Sequence, residues 1–243
     1  MSKGEKQVAV VENSPPAFLQ HQGSDRGSEQ MGREDITIPR LEIVQSLSKA
    51  RKKTDPAFIE GAEEGTLYNS VTRELYGFEV NVVPVFFLKE YLLWRDQKLG
   101  GGFGGGYPTE LKANEARDLR DKPEEWEVVM THQHFCLIQR PDGKLEEAAI
   151  SMSKSKLKVS KKFNSLVRVN GGDRFSRVYR IRGIADQNNQ GQDFYNLSVD
   201  TQPGFVTEPV YRAAERVYEL IAQGGVVADR GQDDLDEPDP VEY

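Results

Sequence analysis

Apolar positions change their period several times along the chain, and each change predicts an element. "GFEVNVVPVFFLKEYLLWR" (77–95) is β-branched and aromatic throughout, which predicts one long strand. Pro84 cannot donate to a ladder, so a bulge or an edge is expected there. "WEVVMTHQHFCLIQR" (126–140) predicts a second long strand. "PDGK" (141–144) then turns, because Asp-Gly suits hairpin geometry, and 145–152 returns as a third strand. From Ser153, the expected N-cap, the period becomes helical, with Val159, Phe163, Leu166 and Val167 on one stripe and most lysines off it. "GGD" (171–173) stops that helix. Strands are expected at 175–187 and 193–201, joined by the turn "NNQGQ", and a closing helix at 207–225 with Pro209 in its first turn.

The remaining segments are weaker in pattern. Order is expected to begin near "DITIPRLEIVQSLSK" (35–49), extended up to Pro39 and then with Leu41, Val44 and Leu47 at helical spacing. "TLYNSVT" (66–72) reads as a short accessory strand. "GGGFGGGYP" (100–108) is expected to be a loop, since six glycines pack poorly as strand or helix. Residues 110–125 are charged and hold one poor helix at most. The expected fold is mostly β with flanking helices. It is a five-stranded OB-like barrel with a basic helix after the third strand, a C-terminal helix and disordered termini. The expected organisation is a disordered arm at 1–34, an OB-like nucleic-acid-binding domain at 35–225 and a flexible acidic tail at 226–243.

Charge sharpens this picture. The chain carries −7 overall, but six carboxylates crowd its last eleven residues: Asp233, Asp234, Asp236, Glu237, Asp239 and Glu242, closed by Tyr243. Between Ser151 and Arg182, five lysines and five arginines face only Asp173. That polarity suits an anionic ligand at the middle and an acidic competitor at the end. Cys136 is the only cysteine, which excludes an intrachain disulfide and suits a reducing cytoplasm. No signal-peptide pattern opens the chain, and its most apolar run is too short to span a bilayer, so no membrane association is expected.

The candidate chemistry is binding chemistry. Lys154, Lys158, Lys161, Lys162 and Arg168 flank the helical stripe, and Arg180 and Arg182 share one face of the following strand. Lys154, Lys156, Lys158, Lys161, Lys162, Arg177, Arg180 and Arg182 form a candidate phosphate track. Trp94 beside Arg95, Phe103, Tyr107 and Tyr179 are the candidate stacking platforms for unpaired bases, whereas Phe86, Phe87 and Phe135 read as core. The glycine run lacks the Lys-Ser or Lys-Thr of a P-loop, and βαβ alternation for a dinucleotide fold is absent. "HQHFC" aligns His132, His134 and Cys136, but one extended strand converges poorly on a tetrahedral ion, so no metal is expected. No hydrolase or metalloprotease motif appears, so neither a catalytic set nor a cofactor is expected.

These residues carry a resemblance. The strand order, "SKSKLKVSKKFNSL" after the third strand and the acidic tail closed by an aromatic resemble a phage single-stranded DNA-binding protein of the OB-fold type, with a tail like that of podophage replication proteins. The chain is also similar to phage proteins that open with "IPRLEIVQSLS" and run through "EEGTLYNSVT" to "VPVFFLKEYLLWR" and a glycine loop. The long arm and the glycine insert depart from the simplest members. The resemblance implies sequence-tolerant coating of single-stranded DNA in replication or recombination. The tail would compete for the groove and recruit replication proteins through Tyr243. A homo-oligomer is compatible with it. The rival is a virion or scaffold protein that uses basic patch and tails as assembly contacts.

Overall fold

The structure, a computed structural model, describes residues 37–188 and 191–223 and the backbone of 227–228. The expected arm at 1–34 and the acidic residues 233–243 lie outside the described residues. In chain order the elements are β1 (Thr37–Ile38), β2 (Leu41–Ile43), β3 (Leu67–Asn69), β4 (Leu75–Gly77), β5 (Glu79–Arg95), β6 (Phe103–Tyr107), α1 (Glu110–Asp118), β7 (Trp126–Gln139), β8 (Leu145–Ser153), α2 (Leu157–Asn170), β9 (Tyr179–Gln187), β10 (Asp193–Thr201), α3 (Glu208–Ala222) and β11 (Val227–Ala228). The described residues are mostly β with three α-helices, in keeping with the mostly β pattern expected.

β5 organises the main sheet. Its 17 residues extend about 56 Å at ~3.3 Å per residue, longer than any one neighbour. One side pairs with β7 from Asn81 to Arg95, and the other is shared between β9 (Glu79–Val82) and β6 (Tyr91–Trp94). The order is β10-β9-β5-β7-β8, antiparallel throughout. The register of β5 on β7 shifts between Pro84 and Phe86, the bulge that Pro84 predicts. Before the bulge, plain alternation sends Val80 and Val82 into one core and Val83 and Val85 into the other; past it the phase changes, so Phe87, opposite His134, takes the face that Val82 holds. The first core also takes Leu41, Ile43 and Leu67 from the small β2-β3-β4 sheet and Phe163 from α2. The second lies on the opposite face beneath Ala214, Val217 and Ile221 of α3.

The expected barrel does not close: the sheet is open, with β8 and β10 at its ends. The physical reason is the segment around β2, which lies against both ends. Ala149 N donates to Pro39 O (2.8 Å) on the β8 side. Tyr195 N donates to Gln45 Oε1 (2.8 Å) and Gln45 Nε2 donates to Tyr195 O (2.6 Å) on the β10 side. Edge groups that would otherwise pair with each other are satisfied by this insert.

Two local expectations are corrected. The glycine run is not wholly a loop, because Phe103–Tyr107 forms β6. A Cβ at Gly104 would stand 2.6 Å from Trp126 Cζ3 and 3.0 Å from Leu93 Cγ, so the missing side chain is what lets the indole cross the strand. Ser153 does not cap α2. It makes no side-chain cap bond, and a 3-10 turn at Lys154–Lys156 precedes the helix.

Gly183 on β9 tests the contact between the two sheets. A Cβ there would lie 2.0 Å from Gly65 O and 3.0 Å from Ile43 Cδ1, and a backbone oxygen cannot swing aside. Gly183→Ala is expected to lower stability by about 1–3 kcal/mol or more, read as the shift of the urea midpoint. An unchanged midpoint would mean that the small sheet does not pack on β9 as described.

Candidate nucleic-acid interface

The candidate residues centre on α2, and a buried polar contact positions that helix. Val159, Phe163, Leu166 and Val167 face the first core as their spacing predicts. Ser160, fully buried, lies with its Oγ 2.7 Å from His132 Nδ1 and 2.7 Å from His134 Nε2 on β7. Arg174 Nη2 lies 2.8 Å from His134 Nδ1. A guanidinium only donates, so His134 accepts at Nδ1 and donates from Nε2 to Ser160, whose hydroxyl then donates to His132 Nδ1. Both imidazoles are neutral in this chain of bonds. Burial, then the Arg174 charge, then His132 hold the pKa of His134 well below its ordinary value. Burial, then the ammonium groups of Lys89 and Lys161, lower that of His132. Cys136, the third member of "HQHFC", is buried in the first core, and burial pushes its thiol up to about 12.

The predicted phosphate track is only partly assembled. Lys158 and Lys161 are exposed on α2 and have no carboxylate partner among the described residues; Arg168, about two turns past Lys161, is alike. Lys162 reaches Asp200 on β10 (3.4 Å), Lys154 reaches Glu127 (3.5 Å), and Lys156 is buried. Arg180 and Arg182 do share a face, but Glu79 lies 3.4 and 3.5 Å from them and Asp200 lies 3.1 Å from Arg182. Their charge is thus locally countered, which the sequence concealed because Glu79 and Asp200 come from other strands. Arg177 lies over the exposed Phe205 ring at 4.1 Å. Asp200 joins Lys162 and Arg182, so the basic edges of α2 and β9 do meet. Beside them a cleft of about 550 Å³ opens between α2 and the β9–β10 hairpin, lined by Lys158, Lys162, Ile184, Phe194 and Asn196 among others.

The stacking set divides. Trp94 and Tyr179 are buried and are corrected to core residues. Trp94 packs against Phe103 at 5.1 Å. Tyr179 packs on Phe163 at 5.2 Å, and its hydroxyl accepts from Asn170 Nδ2 (3.0 Å). Both rings are enclosed by the protein, which leaves no ring face for a base. Phe103 stays 41% exposed. Tyr107 is half-buried and donates to Gly104 O (3.2 Å). Arg95 is paired with Glu125 (2.6 Å).

Sequence reasoning missed a strip on β5. Phe87, Lys89 and Tyr91 alternate onto one face, and their cross-strand partners on β7 are His134, His132 and Met130. The period-two pattern of "FLKEYL" could have revealed it. The bulge at Pro84 hid which residues of the run continue the core face.

A family model described as Pam3 phage gp34-like protein matches residues 5–227. No curated protein and no solved structure matches the chain. Among the described residues no helix is long and apolar enough to cross a membrane.

The Ser160 contact predicts acid lability. Both histidines titrate below the ordinary 6.5 in the folded chain, so on acidification the unfolded chain takes protons first. Their contribution is full above about pH 6.5 and is lost as pH falls from there towards the folded-state pKa. Ser160→Ala leaves His134 Nε2 without its partner and is expected to remove about 1–3 kcal/mol at pH 8. Urea midpoints measured from pH 8 to pH 5 check both. A wild-type midpoint that rises on acidification would contradict the neutral bond chain.

Proposed function

We propose that this chain, which belongs to the Pam3 phage gp34-like protein family, binds single-stranded DNA without strong sequence preference. The observation that carries this reading is the outer face of α2, where Lys158, Lys161 and Arg168 stand exposed with no described carboxylate beside them. Such cations neutralise phosphates and release counterions. The sheet supports it. We read the five principal strands, in the order β10-β9-β5-β7-β8 with α2 between the third and fourth in sequence, as an open variant of an OB-like plan. OB-like sheets accommodate oligonucleotides through sequence-tolerant contacts. Nothing in this reading calls for a catalytic group or a cofactor. Coating of exposed strands in phage replication or recombination is the role it would serve.

Binding of oligo(dT) and of a duplex, followed against salt, tests the reading. With about five phosphate contacts, log K against log salt has a slope near −3 to −4, and Lys158→Gln with Lys161→Gln and Arg168→Gln removes about two of that slope. Equal affinity for the duplex, or a flat salt response, would favour the assembly role of a virion or scaffold protein.

The acidic residues 233–243 enter as a competitor for the same cations and as a dock for replication proteins. Deleting them is expected to tighten oligo(dT) binding, and more so at low salt, because the Debye length shrinks below roughly 10 Å above 0.1 M. Removing Tyr243 alone deletes no side-chain charge and leaves that competition nearly intact, while weakening capture of a replication partner. Truncation without effect at low salt would leave the tail a solubility device.

A further inference from the structure

The strip that sequence reasoning missed brings cations and aromatic faces together. Arg174 lies over Phe87 at 5.5 Å, and the Phe87 ring meets His132 edge-on at 5.1 Å. Lys89 is the cross-strand partner of His132, and its Nζ lies 5.2 Å over the Tyr91 ring. Lys161 follows Ser160, the residue whose hydroxyl is bonded to His132 Nδ1. That bond leaves Nε2–H as the free donor of His132, with no partner among the described residues. His132 keeps 8% of its surface exposed, while Lys89 and Lys161 are exposed and without a described carboxylate. Glu90, the acid between Lys89 and Tyr91, falls on the other face, where Gln133 Nε2 donates to it (3.1 Å).

We propose that Lys89, Lys161 and His132 hold a phosphate group, with the Tyr91 ring beside it as the platform for a neighbouring base. The assignment rests on the reading of the chain as a single-strand binder and moves the stacking role from Trp94 and Tyr179 to Tyr91. Both ammonium groups lie near enough to act on a neutral imidazole that still has a hydrogen to give. An anion held there would be met by two cations and one N–H donor. The groups that face His132 are Lys89 from β5, Ser160 and Lys161 from α2, and His134 with Arg174 behind it. None is acidic, so no described carboxylate opposes an incoming phosphate there.

The test uses the full chain and two probes, inorganic pyrophosphate and a thirty-residue oligo(dT). The His132 imidazole is followed by NMR, assigned against His132→Gln. Pyrophosphate is expected to raise its pKa by about half to one unit, the shift a nearby charge produces across water. Lys89→Gln with Lys161→Gln removes that shift and makes the oligo(dT) salt slope shallower by about 1.4. Tyr91→Ala weakens oligo(dT) roughly 5- to 150-fold. An unmoved His132, with an unchanged slope in the double variant, overturns the phosphate site; the broader reading survives if the wild type still binds oligo(dT). A wild type that ignores oligo(dT) while pyrophosphate still moves His132 supports the site and overturns the single-strand reading.

Discussion

Ser160 Oγ lies 2.7 Å from a nitrogen of each of two histidines that point the same way from β7, and no solvent reaches it. An unsatisfied buried polar group costs about 1–3 kcal/mol, so α2 can neither slide nor rotate on the sheet without leaving one orphaned. That constraint selects the face of α2 that looks outward. With Ser160 and Phe163 turned in, Lys158, Lys161 and Arg168 are left in solvent, and Lys162 reaches the β10 edge at Asp200. Arg174 completes the arrangement by donating to the far side of His134, which fixes the direction of every bond in the series.

β5 provides the second constraint. It pairs with β7, β9 and β6, so a change of phase within it is felt in all of them. The bulge at Pro84 divides its labour. The first half supplies valines to both cores, and the second half presents Phe87, Lys89 and Tyr91 on the face that α2 partly covers. The opposite face is closed by α3, where Tyr218 meets Phe86 at 6.0 Å. Lys89, Lys158, Lys161 and Arg168, which have no described acidic partner, thus share the α2 side, the side proposed here to meet nucleic acid.

Much of the fold was legible because local chemistry decided it. The long strands, the Asp-Gly turn, the helical stripe of α2, the bulge at Pro84 and Pro209 in the first turn of α3 all follow from residue type and period. What could not be read depends on residues far apart in sequence. β6 forms because Trp126 needs the space that Gly104 leaves. The sheet stays open because Pro39 and Gln45 satisfy its two ends. Of the candidate site, the placement of the basic helix was legible; the surroundings of its partners were not, since Arg180 and Arg182 meet Glu79 from β5, and Tyr179 turns inward onto Phe163. Strand alternation identifies which residues share a face. It does not say which face is core once a bulge intervenes.

The central claim is that one face, set by Ser160 and bearing the exposed cations of α2 and β5, receives a single strand. Mapping backbone amide shifts of the full chain as oligo(dT) is added tests it most directly. The account predicts saturable changes along α2 from Lys158 to Arg168 and along β5 from Phe87 to Tyr91, with α3 and the small β2-β3-β4 sheet little affected. Changes concentrated on α3, or none at ratios that saturate binding, would contradict it.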